Sequence, residues 1–134
     1  MSISEKSLGY RGDVKAAVGI GGTLAFVTQH AEGQPTGLFR LDADTLTLDT
    51  DPLPDCGLAL AADGETIWVA GGDARIYEGS ARGGKPKVRG EALAAAATAL
   101  VPLADDRLAV LSGSEIAVLA RKAKLALVEV MRDL

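Results

Sequence analysis

The stretch AADGETIWVAGGDARIYEGS, residues 61–80, decides the fold. It reads as a tight turn, a short apolar strand, a glycine-rich turn and a second strand, and Asp63-Gly64 supplies the positive φ that a tight hairpin turn requires. A single hairpin cannot bury its own apolar face and is at best marginally stable in water. The stretch must therefore belong to a larger sheet that packs on a neighbour.

The pattern around this stretch recurs along the chain. Three apolar patches begin 43 and 41 residues apart: TLAFV (Thr23–Val27), TIWVA (Thr66–Ala70) and RLAVL (Arg107–Leu111). Each follows an apolar strand with a tight turn and precedes a Gly- or Ser-containing turn with another strand. In the first unit, TLTLDTD adds a fourth strand, where Leu46 and Leu48 alternate with polar residues. Four short strands in a unit of this length are typical of one β-propeller blade.

The second unit, GLALAADGETIWVAGGDARIYEG, resembles a degenerate blade of the WD40-type β-propeller family. It ends in Tyr77-Glu78, where the family usually has Trp-Asp. The family's Gly-His dipeptide is missing before each unit, and the only histidine, His30, lies elsewhere, so the family's His-centred hydrogen-bond tetrad cannot be assigned. The resemblance covers about Val14 to Leu119 and implies architecture rather than function, because this fold hosts many roles.

We therefore predict an all-β chain, 1–134, that forms one β-propeller segment of four-stranded antiparallel blades. The blade-like units cover about 14–55, 56–96 and 97–134, and 1–13 forms a closing outer strand. Three blades do not close a ring, since propellers have typically four to eight, and an open arc exposes apolar faces. We expect a second chain to complete the ring as a head-to-tail homodimer, in which the surplus strand completes a blade of the partner. The other possibility is a piece of a longer protein.

Two segments allow a second interpretation. In the tail ARKAKLALVEVMRDL, residues 120–134, the repeat favours an outer strand, but five apolar residues also share one helical face: Ala123, Leu127, Val130, Met131 and Leu134. In GEALAAAATAL, residues 90–100, alanine favours a helix, whereas the repeat favours an outer strand, a turn and an inner strand. The repeat decides for strands in both segments.

Composition excludes several classes of function. The net charge is −4 and no basic run occurs, which disfavours a nucleic-acid or anionic-membrane partner. No apolar stretch approaches the roughly 18 residues that span a bilayer, and the N-terminus lacks a secretion-signal pattern. Cys56 is the single cysteine, so an internal disulfide and a multi-thiolate metal site are excluded; we expect it to be a small buried apolar residue. We expect a cytoplasmic protein with no metal and no cofactor.

Single residues in the second unit have predicted structural roles. Trp68 alternates with Ile67 and Val69 and points to the opposite face, so we expect it to wedge between neighbouring blades. The family resemblance gives Asp73 the role of holding a tight turn by side-chain hydrogen bonds. The loop GSARGGKP, residues 79–86, has two basic residues and three glycines but no phosphate-loop pattern, which favours a flexible connection over a phosphate cradle.

The inner strands are poor in ionisable residues, so we predict that the protein is not an enzyme but a non-catalytic scaffold for protein–protein interaction or self-assembly. The resemblance implies binding at the face where the fourth-to-first and second-to-third strand connections cluster. The candidate residues there are Arg11, Asp13, His30, Glu32, Gln34, Asp55 and Asp73. Two alternatives stay open: a small-ligand-binding or hydrolytic propeller that uses the central channel, and a truncated or engineered fragment that only oligomerises.

Overall fold

The computed structural model describes residues 14–28, 37–55, 57–89, 93, 95–112, 115–121 and 125–131. Within these ranges the regular structure consists of twelve β-strands, and no helix occurs. In chain order the strands are β1 Val14–Ile20, β2 Thr23–Thr28, β3 Gly37–Asp42, β4 Thr47–Pro52, β5 Gly57–Asp63, β6 Thr66–Gly71, β7 Ile76–Ser80, β8 Lys87–Val88, β9 Ala99–Leu103, β10 Arg107–Ser112, β11 Glu115–Arg121 and β12 Leu125–Met131.

The twelve strands form three four-stranded sheets, each of which follows chain order with antiparallel neighbours. We call them blade 1 (β1–β4), blade 2 (β5–β8) and blade 3 (β9–β12). Strand β1 lies against β5, and β5 lies against β9, so the first strand of each blade is the innermost. The predicted all-β, three-blade fold is confirmed. In the tail the helical interpretation is wrong for Leu125–Met131, which pairs with β11.

The apolar core lies between the blades. Strand β6 supplies both interfaces because alternate side chains leave a strand on opposite faces. Ile67 and Val69 pack with Val27 of blade 1, whereas Trp68 packs with Leu108 of blade 3. Trp68 is only 3% exposed, which confirms its position between two blades. Blade 2 is therefore held on both faces.

Each turn between the first and second strands of a blade contains a residue with positive φ, as predicted for Asp63-Gly64 of blade 2. Gly21 and Gly64 have φ of +56° and +61°. In blade 3 the corresponding turn has three residues and no glycine, and Asp105 and Asp106 adopt φ of +61° and +55°. Aspartate tolerates this left-handed region better than most residues, because its short polar side chain can hydrogen-bond locally.

Two predicted outer strands differ from the structure. Leu46 does not belong to β4, because the backbone turns there with φ of +53°, and the Asp42 carboxylate stabilises the turn by accepting bonds from the backbone N–H groups of Asp44 and Thr45 at 2.9 and 3.1 Å. The outer strand expected within residues 90–100 lies earlier, at Lys87–Val88. The closing strand predicted for 1–13 and Cys56 lie outside the described residues.

Candidate functional site

Two of the predicted site residues, Asp55 and Asp73, lie near Tyr77 of β7. Asp55 lies in the connection from blade 1 to blade 2, and Asp73 lies in the turn between β6 and β7. Pro54 and Asp73 line the same cleft, and the charge of Asp55 acts on Tyr77 in that cleft. The other five predicted residues, Arg11, Asp13, His30, Glu32 and Gln34, lie outside the described residues.

The turn between β6 and β7 holds Asp73 in place. The Gly71 N–H donates to the Arg75 carbonyl oxygen at 2.9 Å, and the Ala74 N–H donates to the Gly71 carbonyl oxygen at 3.1 Å. Asp73 Oδ1 accepts from the backbone N–H of Arg75 at 3.2 Å, and Asp73 Oδ2 accepts from the Tyr77 hydroxyl. Asp73 thus has the structural role that the family resemblance implies.

Tyr77 connects this turn to the core. Its side chain is buried among residues of the interface between blades 1 and 2. Burial raises the pKa of Tyr77 to about 12, and the hydrogen bond to Asp73 and the negative charge of that carboxylate act in the same direction. The hydroxyl is therefore neutral near pH 7 and remains a donor to Asp73.

A cleft of about 600 Å³ opens beside Tyr77. Its lining residues come from the blade connection, the β6–β7 turn, β7 and the segment around β8: Pro54, Asp73, Arg75, Tyr77, Lys85, Pro86, Lys87 and Val88. Pro86 is buried and Val88 is 46% exposed, so the wall is partly apolar. Because β8 has only two residues, whereas β4 has six and β12 has seven, blade 2 has the shortest outer strand.

Buried Arg40 holds the segment that leads to Lys85 and Pro86 of the cleft. Its side chain on β3 is 4% exposed and forms an ion pair with Asp51. Nε donates to the Ser80 carbonyl oxygen at 2.6 Å, and Nη2 donates to the Gly84 carbonyl oxygen at 3.0 Å. The end of β7 and the loop that follows it are thus each anchored to blade 1, contrary to the flexible connection expected from the glycines of residues 79–86. The signal that sequence reasoning missed was the charged residue inside the apolar strand GLFRL.

The end blades also carry surfaces that face away from blade 2. In blade 3, Val101 and Leu103 are 46% and 40% exposed, and half-buried Leu111 lies on the same face. In blade 1, Leu24 is 38% exposed. Leu24 shares a cross-strand row with half-buried Leu41 and Leu48. We call these surfaces the blade 3 end face and the blade 1 end face.

Beside the Leu24 row, the blade 1 end face holds an aromatic pair. Phe26 and Phe39 are cross-strand partners whose rings stack at a centroid distance of 5.1 Å. Both side chains are buried, at 7% and 2% exposure. The accessible part of this end face is therefore the row that contains Leu24.

In the described part of the chain, no group of three or more His, Cys, Asp or Glu side chains could hold a metal ion. No helix there is long and apolar enough to cross a bilayer.

Comparisons with known proteins show the fold. No protein-family model matches the chain, and no curated protein matches its sequence. Among solved structures it is similar to the computationally designed Ika8 protein (TM-score 0.73, 16% identity, 92% of this chain and 38% of that one). It is also similar to BamB from Moraxella catarrhalis (TM-score 0.62, 20% identity, 89% of this chain and 38% of that one). A third similar structure is the N-terminal domain of Nup159 (TM-score 0.59, 18% identity, 90% of this chain and 31% of that one).

These neighbours are β-propellers, so the likeness confirms the propeller fold. The chain spans between 31% and 38% of their lengths. Three blades are therefore an arc that corresponds to a part of each of these propellers.

Proposed function

We propose that this protein is a non-catalytic β-propeller scaffold that works by self-assembly, in which two copies join head to tail into a six-bladed ring. The observation that carries the proposal is the pair of apolar end faces on blades 1 and 3. Exposed apolar faces of this kind mark surfaces that bind another protein. A cytoplasmic location, a WD40-type ancestry and the absence of nucleic-acid and membrane partners remain predictions.

The internal repeat supports a second copy as the occupant of the blade 3 end face. In blade 1, Ala25 and Val27 belong to the core against blade 2. The equivalent residues of blade 2, Trp68 and Ala70, belong to the core against blade 3. In blade 3 the equivalent residues are Ala109, which is 7% exposed, and half-buried Leu111. They lie on the face opposite Leu108 and Val110, which pack towards blade 2.

The same comparison applies to the blade 1 end face. Ile67 and Val69 pack blade 2 against blade 1, and Leu108 and Val110 pack blade 3 against blade 2. Their equivalents in blade 1 are Leu24, which is 38% exposed, and buried Phe26, both on the face that points away from blade 2. The chain thus carries both halves of one more blade–blade interface. A head-to-tail contact between two copies forms this interface twice and closes the ring.

The test is the mass in solution, measured by light scattering over a range of protein concentrations. We expect twice the chain mass of 13.7 kDa. Val101→Glu places a charge on the blade 3 end face and should give the monomer mass. The matched control is Val88→Glu, because Val88 is also 46% exposed but lies in blade 2, and this variant should keep the dimer mass.

A wild-type protein that stays monomeric at every concentration would overturn the proposal. A monomer would favour the interpretation as a fragment whose further blades come from a longer chain. Catalysis in a central channel has less support, because the described inner strands β1, β5 and β9 contain only two ionisable side chains, Lys15 and Asp63.

A further inference from the structure

We propose that the cleft beside Tyr77 binds a small organic anion in which a carboxylate or phosphate head is joined to an apolar body. This inference does not depend on self-assembly, because the cleft lies at the junction of blades 1 and 2 rather than on either end face. Its volume of about 600 Å³ lies within the range of small-molecule pockets.

The charge of the cleft is opposite to that of the chain. The whole protein has a net charge of −4, yet three cationic side chains line the cleft, namely Arg75, Lys85 and Lys87, against one carboxylate, Asp73. None of the three cations forms an ion pair with another described residue. With Asp55 nearby the balance is still positive, so an anion is attracted there.

Asp73 competes only weakly with a bound anion for the hydrogen-bond donors of the three cationic side chains. One of its carboxylate oxygens accepts from the Arg75 backbone N–H and the other accepts from the Tyr77 hydroxyl. Both contacts hold the carboxylate against the turn. The cationic side chains therefore keep donors for a ligand, and charge-assisted hydrogen bonds to a carboxylate or phosphate are stronger than neutral ones.

A bound inorganic ion would leave the apolar part of the cleft wall without a ligand contact. Pro54, Pro86, Val88 and the Tyr77 side chain give the cleft an apolar part. A ligand that buries a ring or an alkyl chain against these residues gains from the removal of apolar surface from water. The combination of cations and apolar wall selects for an anion with an apolar body.

The loop that carries Lys85 and leads to Lys87 of β8 is ordered before a ligand binds. Arg40 fixes the carbonyl groups of Ser80 and Gly84 to blade 1. Gly83 and Gly84 adopt φ of +116° and +96°, which residues with side chains rarely adopt. Lys85 follows directly, and buried Pro86 fixes its own φ. A loop that is already ordered costs less entropy on binding.

The test is a calorimetric titration of the full chain with phenyl phosphate, with inorganic phosphate and benzyl alcohol as probes of the head and the body alone. We expect saturable binding of phenyl phosphate and weaker binding of both single-part probes. The double variant Lys85→Gln/Lys87→Gln should weaken phenyl phosphate binding by roughly tenfold or more, the effect of losing a hydrogen bond to a charged group. Arg82→Gln is the control, since Arg82 lies in the same loop but pairs with Glu65 and does not line the cleft.

A second variant tests the apolar wall without changing a charge. Val88→Ser should weaken the binding of phenyl phosphate and leave that of inorganic phosphate unchanged. The proposal is wrong if phenyl phosphate does not bind saturably, if inorganic phosphate binds as tightly, or if Arg82→Gln weakens binding as much as the lysine variant. The mass of each variant in solution reports separately on self-assembly.

Discussion

Among single residues, Gly57 shows how closely blade 2 approaches blade 1. A Cβ atom at this position would lie 2.5 Å from Cγ1 and 2.7 Å from Cβ of Val27, which is fully buried. We predict that Gly57→Ala lowers the free energy of unfolding by about 1–3 kcal/mol, the usual cost of overpacking a core. Urea denaturation measures the change. Gly22→Ala is the control, because its nearest contact would be 3.9 Å, and equal losses in the two variants would contradict the prediction.

Ala74 occupies a backbone conformation that suits glycine. Its φ is +64° in the turn between β6 and β7, and this left-handed region costs a residue with a side chain about 1–2 kcal/mol. Ala74→Gly should therefore raise the free energy of unfolding by several tenths of a kcal/mol, after the greater entropy of glycine in the unfolded chain is subtracted. Thermal unfolding tests this, and Ala104→Gly, at a turn position whose own φ is not positive, should lower stability instead.

Tyr77 makes the free energy of unfolding depend on pH in the alkaline range. Its pKa is raised to about 12 in the folded protein, whereas an unfolded tyrosine titrates near pH 10. Between these values the folded state binds more protons than the unfolded state, so the contribution of Tyr77 to stability falls as pH rises. Tyr77→Phe should remove this part of the loss of stability at rising pH. Urea midpoints at several pH values from 9 to about 11.5 measure it, and parallel slopes for both proteins would contradict it.

At the level of whole elements, Arg40 joins β3 to the loop that precedes β8. Arg40→Leu would leave the Ser80 and Gly84 carbonyl groups and the Asp51 carboxylate without this partner. We predict a loss of about 2–4 kcal/mol in the free energy of unfolding, since breaking a buried ion pair leaves its other member uncompensated.

The control for Arg40 is an exposed ion pair that also involves the loop between β7 and β8. Arg82 and Glu65 form an ion pair with side chains that are 80% and 60% exposed. Arg82→Leu should cost less than about 1 kcal/mol, as surface pairs do. Chemical denaturation compares the two variants, and a similar loss in both would show that Arg40 does not anchor the loop.

Sequence patterns predicted which segments form strands better than they predicted where those strands begin and end. Alternation and turn residues located the first three strands of each blade, because both signals are local. Leu46 was misassigned to a strand, since its turn depends on hydrogen bonds from the Asp42 side chain that the alternating leucines do not reveal. The tail allowed a helix as well as a strand, and pairing with β11, a contact between segments, decided for the strand.

For the whole molecule, self-assembly should make thermal stability depend on concentration. A folded dimer that dissociates on unfolding becomes more stable as protein concentration rises. We expect the midpoint of thermal unfolding of the wild type to increase over a hundredfold range of concentration, and that of Val101→Glu to stay constant. Differential scanning calorimetry measures both, and a constant midpoint for the wild type would contradict the proposed ring.

The architecture could be predicted because a repeat of 41 to 43 residues fixes strand count and order. The cleft could not be predicted from the sequence. It depends on the short β8, on the contact of Tyr77 with Asp73 and on Arg40, which reaches a loop about 40 residues away in sequence. Asp55 and Asp73 were predicted only from the face where strand connections cluster, and their sequence context gave no indication of Arg75 or the lysines.

The position of Trp68 has a consequence for optical spectroscopy. It is the only tryptophan in the chain and lies between blades 2 and 3. Its fluorescence therefore reports the separation of these two blades, whereas detachment of blade 1 would leave the emission nearly unchanged. If the arc unfolds blade by blade, as repeat architectures can, circular dichroism and fluorescence will give different transitions, and their order will show which end opens first.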